Sequence, residues 1–334
     1  MRFFAFSAAI YFLVSTLLTA LLWSQPLGGS AEFFVEMMSN VRSMPYDHAA
    51  VIIILIWSYW SSSDIFAFLR RILVASLVVL VSALFLSAFS GIKTSFPLIV
   101  DAIGLERFFA EEQFAALDRA LHFGNDAWYL AHGITDWLGF NDFIKFAEAT
   151  YGQLWAITAF YLPVIMVLLG EKPERFRRFV ILYLISWIFL GNFVALFGYS
   201  AGPIYYDRVF GGDGFADLIA ALNASGLKES WIFRAQELLW TSYSEERQSI
   251  GSGISAFPSV HVAMAAVAAL YFSEKSLTLG MFFWILTALI LFTSIWTGYH
   301  YAVDGYFSIL VILGANHYLK SNHFKKHLPI NGDG

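Results

Sequence analysis

Two histidines in the last quarter of the chain stand where apolar stretches begin. His261 closes Ser255-Ala256-Phe257-Pro258-Ser259-Val260-His261, and His300 opens His300-Tyr301-Ala302-Val303-Asp304. On a helix, His300 and Asp304 are four residues apart and share a face. A carboxylate so placed accepts a hydrogen bond from one ring nitrogen and leaves the other free and more basic, which is how a nucleophilic or general-base histidine is prepared. A helix-end ion pair beside a lipid-facing histidine is the alternative for that pair taken alone. Before His261, the residues Gly251, Gly253 and Pro258 predict a backbone bent into a helix start, with Pro258 near the first helical position and Ser255 or Ser259 near the cap. Such a start offers backbone N–H groups and the positive end of a dipole, and serine hydroxyls add donors; an anion such as phosphate fits it, and so does a plain helix cap.

The elements that must position these residues are membrane helices. With 58% hydrophobic and 13% charged residues and a mean hydropathy of +0.64, the chain is too apolar for an ordinary soluble domain. Its apolar residues are gathered in runs near the roughly 20 residues a bilayer-crossing helix needs. Eight spans are expected: 3–23, 44–61, 70–90, 150–169, 178–198, 257–273, 279–297 and 302–319. The fold class predicted is therefore all-α, a polytopic membrane helical bundle, with interfacial helices in two long connections at 91–149 and 199–256. Residues 1–90 form N-terminal spans, 91–149 an amphipathic outer-face region, 150–320 the part carrying the histidines, and 321–334 a cytoplasmic tail. Residues 3–23 are long for a signal sequence and read as a retained span.

Orientation follows from the positive-inside rule. A cytoplasmic N-terminus places Arg2, Arg70, Arg71, Lys172, Arg175, Arg177, Arg178, Lys275, Lys320, Lys325 and Lys326 on the cytoplasmic side, and leaves only Arg42 in the short outer loops. Both long connections and both histidines then fall on the outer face, the periplasmic face of a bacterial inner membrane.

Several chemistries drop out. The absence of cysteine removes disulfides, thiolate catalysis and Cys-ligated zinc. Scattered Lys and Arg at a net charge of −5 argue against nucleic acid. Asp304-Gly305 begins the pattern of a metal-dependent phosphotransferase, but Tyr306-Phe307-Ser308-Ile309 does not continue it. No cofactor and no metal are expected. An ion-coupled transporter would show broken spans and charges near the midplane, and these spans are nearly uncharged.

Taken together, Pro258-Ser259-Val260-His261 and, about forty residues later, His300-x-x-x-Asp304 resemble the second and third signature motifs of the type 2 phosphatidic acid phosphatase superfamily. His-Tyr-x-x-Asp is similar to the lipid phosphotransferase branch that contains inositol phosphorylceramide synthase and sphingomyelin synthase. Tyr199-Ser200-Ala201-Gly202-Pro203-Ile204-Tyr205-Tyr206 resembles the segment before the second motif in that branch, and Lys93-Thr94-Ser95-Phe96-Pro97 stands where the first motif is expected. Two motif arginines are absent: Ser294 occupies one position, and none follows Lys93.

The resemblance implies a metal-independent enzyme acting on a lipid phosphate or phosphodiester, with water or an alcohol as acceptor. His300 would form a phosphohistidine, Asp304 would hold its tautomer, and His261 would serve as acid and base. Ser255, Ser259 and Tyr205 would bind substrate, while Lys93 and Arg208 would replace the missing guanidiniums. The rival is a degenerate relative that binds or moves lipid without phosphoryl chemistry. Asp118, Arg119, His122 and His132 form a further polar group, read mainly as structural and otherwise as a headgroup site.

Overall fold

The computed structural model describes residues 1–23, 33–35, 47–140, 142–249 and 251–321; among these there are helices and turns and no strand. Helix α1 (Arg2–Trp23) lies along α3 (Ile65–Thr94), and α2 (Asp47–Trp60), between them in the chain, contacts α3. Ser15 Oγ donates to Ala88 O at 2.8 Å, and Phe4 packs against Phe85 and Tyr183. A serine hydroxyl has no water to turn to at this depth, so bonding a backbone carbonyl satisfies it. Asp64 starts α3 by accepting from Ala67 N at 2.8 Å, an N-cap.

All eight apolar segments carry helix, but their lengths differ from the sequence expectation. Among the described residues, four helices are both long and apolar enough to cross a bilayer: α1, α3, α9 (Pro173–Phe197) and α14 (Leu277–Trp296). The expected 150–169 span begins earlier and is bent: α7 (Phe143–Phe160) and α8 (Leu162–Leu168) meet at 53°, where Pro163 enters the chain. At the second segment the helix runs only from Asp47, and residues 44–46 lie outside the described residues.

Helix α13 (Val260–Ser273) has 14 residues, short of a full crossing. It is nevertheless the centre of the bundle, with every side chain from Val262 to Ala269 buried. An alanine-rich helix that is apolar all round lets neighbours approach on every side. Helices α14, α15 (Ala302–Lys320), α7 and α9 surround it.

The long connections fold into short helices at one end of the bundle: α4 (Phe96–Ala102), α5 (Glu111–Leu121), α6 (Ala127–Trp137), α10 (Pro203–Phe210), α11 (Ala216–Ala224) and α12 (Trp231–Ser244). The other end is tied by charge. Glu171 bonds Lys275 at 2.6 Å and approaches Arg175 at 3.5 Å, while Glu274 binds Arg175, Arg178 and Lys320. Those basic residues come from the loops and helix ends on the side opposite the histidines.

Candidate active site

Within α7 and α9 the backbone widens into π-type turns, over residues 148–154 and 185–194. Such turns recur at functional sites. The first carries Tyr151 into the bundle. The second turns Gly191 O toward α3, where it accepts from Lys93 Nζ at 3.1 Å. Between these widened helices, α3, α13 and the segment before α13 lies a cavity of about 560 Å³.

His261 and His300 both line that cavity, with ring centroids 6.1 Å apart. Each comes from a helix start: His261 from the first turn of α13, His300 from the turn that leads into α15. Asp304, wholly buried, accepts from His300 Nδ1 at 3.1 Å and from Tyr301 N at 3.0 Å through one carboxylate oxygen. That bond engages Nδ1 of His300 and leaves Nε2 outside it. Ser259 N donates to Asp304 O at 3.2 Å, joining the two helix starts directly. His261 is fixed by stacking: Tyr151 lies at 4.3 Å and 10°, and Trp155 at 3.9 Å and 27°. The Trp155 indole also donates to His261 O at 3.1 Å.

Of the other residues expected in the site, Lys93, Ser255 and Tyr205 line the cavity. Lys93 is 7% exposed, its ammonium 5.2 Å from the Phe96 ring. Tyr205 presents its ring, since its hydroxyl is spent on Gln236 O at 3.0 Å. Two of the expected residues do not line the cavity. Ser259 is fully buried and outside the lining; it is the N-cap of α13, its hydroxyl accepting from Val262 N, and Pro258 precedes the cap instead of opening the helix. Arg208 also lies outside the lining, because it pairs with Glu237 and stacks on Trp240 at the surface. Ser294, where an arginine was absent, is buried with its hydroxyl turned to Leu291 O at 2.7 Å.

The polar group in the long connection does structural work. Asp118 accepts from Ala302 N, Val303 N and Ala127 N, and burial pushes its carboxyl above the usual range. His122 bonds Asp118 O and Tyr306 OH. His132 stacks on Trp296 at 4.5 Å and 2°, and burial lowers its pKa. Arg119 pairs with Asp126.

Sequence reading missed the aromatic partners of His261 and also Glu111. Aromatic residues at helix spacing look alike whether they face lipid or a site, so nothing local marks Tyr151 or Trp155. Among the described residues, no group of three or more His, Asp or Glu side chains is arranged to hold a metal ion.

The constellation is that of membrane proteins carrying a histidine pair and an aspartate at one end of a helical bundle. Residues 112–319, more than half of the chain, match the model of the PAP2 superfamily, and the chain belongs to that superfamily. No curated protein and no solved structure matches the chain. Lys93 and Glu111 lie ahead of the matched region and come to the site through the fold alone.

Proposed function

We propose that the protein is a metal-independent lipid phosphotransferase or phosphatase of the inositol phosphorylceramide synthase kind, acting at the outer membrane face. The observation that carries this reading is the Asp304–His300 pair facing His261 across one cavity. His300 Nε2 attacks phosphorus, and the bond from phosphorus to the leaving oxygen breaks as His261 donates it a proton. His261 then takes the proton of an acceptor hydroxyl, whose oxygen attacks phosphorus and releases His300. Asp304 keeps Nδ1 protonated throughout, so the attacking nitrogen retains its lone pair.

The cavity lining suits a phosphate group. Lys93 is the one Lys or Arg among the lining residues, and Asp and Glu are absent from that lining. The Lys93 ammonium, together with a protonated His261, surrounds a phosphate group with positive charge. Apolar walls from Leu86, Phe89, Phe160 and Trp187 suit lipid chains in the same cavity.

Purified protein with a chelator, given phosphatidate, an isoprenyl diphosphate, or a phosphoinositide with ceramide or diacylglycerol, tests the reading. Formation of a new phospholipid from the phosphodiester pair is expected. Unchanged function in His300→Ala would reject the nucleophile and favour a lipid-binding relative without phosphoryl chemistry.

A further inference from the structure

One buried carboxylate touches both halves of the site without reaching the cavity. Glu111 is the first residue of α5 and has no exposed surface. It accepts from Ala201 N and from Gly202 N, the latter at 3.0 Å, and from the Tyr301 hydroxyl at 2.7 Å. Each arm leads to one histidine. Ser200, beside Ala201, accepts from Ala256 N at 2.8 Å through its carbonyl and from Phe257 N at 3.0 Å through its hydroxyl, and so holds the segment that ends at His261. Tyr301 follows His300, and its backbone N–H binds the carboxylate oxygen of Asp304 that orients the imidazole.

The two arms are pressed together. Gly202 has φ of +93°, and a Cβ there would lie 2.5 Å from Tyr299 O, so the 199–202 turn is flush against the His300 turn. Ile204 N donates to Gly298 O at 2.9 Å and closes the same contact. With three donors converging on one acidic group, movement of Glu111 displaces both turns at once.

We propose that Glu111 is a positioning residue that sets the separation and aim of His261 and His300 by clamping the 199–202 turn to Tyr301. Its role rests on reach more than on charge. Glutamine keeps the length: its carbonyl can replace the oxygen that accepts from Ala201 N and, at 3.2 Å, from Gly202 N, and its amide can donate to the Tyr301 oxygen. Aspartate keeps the charge but is one methylene short. The catalytic part of this inference rests on the phosphotransfer reading above.

The test compares Glu111→Gln, Glu111→Asp, Glu111→Ala and Tyr301→Phe in lipid nanodiscs. Activity is followed on the phosphodiester pair, and the His300 Nδ1 proton by NMR of histidine-labelled protein. Glu111→Gln should keep kcat within about 3-fold of wild type, while Glu111→Asp and Glu111→Ala lose about 10- to 100-fold in kcat with little change in KM. Tyr301→Phe, which removes one arm, should fall between them, and the Glu111→Ala/Tyr301→Phe double variant should be no worse than Glu111→Ala. The His300 proton signal should shift or broaden in Glu111→Asp and stay in place in Glu111→Gln.

An unmoved signal with wild-type kcat in Glu111→Asp would overturn the proposal, as would a Glu111→Gln defect equal to that of Glu111→Asp. If Glu111→Ala does not fold, the Gln, Asp and Phe variants still decide. Wild type that transfers no phosphoryl group yet shows the ordered His300 proton would sink the phosphotransfer reading, and the NMR comparison alone would then decide the clamp.

Discussion

At the scale of single residues, the site is set by a few groups that have no alternative partner. His300→Ala should lower the rate by about 10³-fold, because no other side chain presents a nucleophilic nitrogen beside Asp304. Asp304→Asn should cost about 10²-fold, since an amide can hold the ring but favours the wrong tautomer. Both are read as single-turnover rates in the presence of a chelator. Lys93→Ala should lower kcat/KM by about 30- to 100-fold for a phosphodiester, through loss of one charge-assisted contact.

Glu111 gives a pH signature outside the membrane-spanning helices. Burial pushes its carboxyl up from 4.5 to about 7 and the Asp304 charge adds to the rise, against the pull of the Tyr301 hydroxyl and the Gly202 and Ala201 N–H groups. Tyr206 also faces it electrostatically. A carboxyl raised in the folded state binds its proton more tightly there than in the unfolded chain. Its contribution to stability is therefore complete below pH 4.5 and is lost as pH rises through about 7. The wild-type Tm should fall more steeply across that window than the Glu111→Gln Tm, by thermal unfolding in one detergent, the remaining slope coming from other raised carboxyls such as Asp118.

At the scale of elements, α5 acts as a splint. Glu111 and Asp118 are seven residues, two turns, apart and so share a face. Glu111 holds the Tyr301 side chain, while Asp118 caps α15 through Ala302 N and Val303 N. Asp118→Ala should destabilise the protein by about 1 kcal/mol, as loss of an N-cap does, and should lower activity because the same helix start carries Asp304. Thermal unfolding and a rate measurement on one preparation check both effects. Close packing gives a second test on an element: a Cβ on Gly253 would lie 2.5 Å from Lys93 Cγ and 2.7 Å from the Lys93 carbonyl oxygen. Gly253→Ala should therefore move Lys93 and reproduce most of the Lys93→Ala defect.

For the whole molecule, the prediction concerns topology. The chain has no cysteine, so one introduced thiol is the only reactive one. Asn125 and Lys172 are exposed at opposite ends of the bundle. With the histidine end outward, Asn125→Cys should react with a membrane-impermeant maleimide in intact cells and Lys172→Cys only after lysis. The reverse pattern would put the site on the cytoplasmic side.

Which parts of this were legible in the sequence depends on the range of the forces involved. Helical class, the apolar segments and the His300–Asp304 pair follow from hydropathy and a four-residue spacing, both of which act along the local chain. The same local rules do not separate capping from substrate binding at Ser259, since both call for the same hydroxyl, and do not reveal that Arg208 pairs with Glu237, 29 residues away. Nothing local marks the wide turns in α7 and α9, the bend before α8, or Glu111, whose three donors come from positions 201, 202 and 301. A buried carboxylate is tolerated only where donors converge on it, and that convergence exists only once the distant segments have packed. The sequence by itself determined the chemistry on offer and the helices that carry it. Tertiary structure alone decided that two histidines 39 residues apart share one cavity, and which lysine, aromatic rings and carboxylate stand around them.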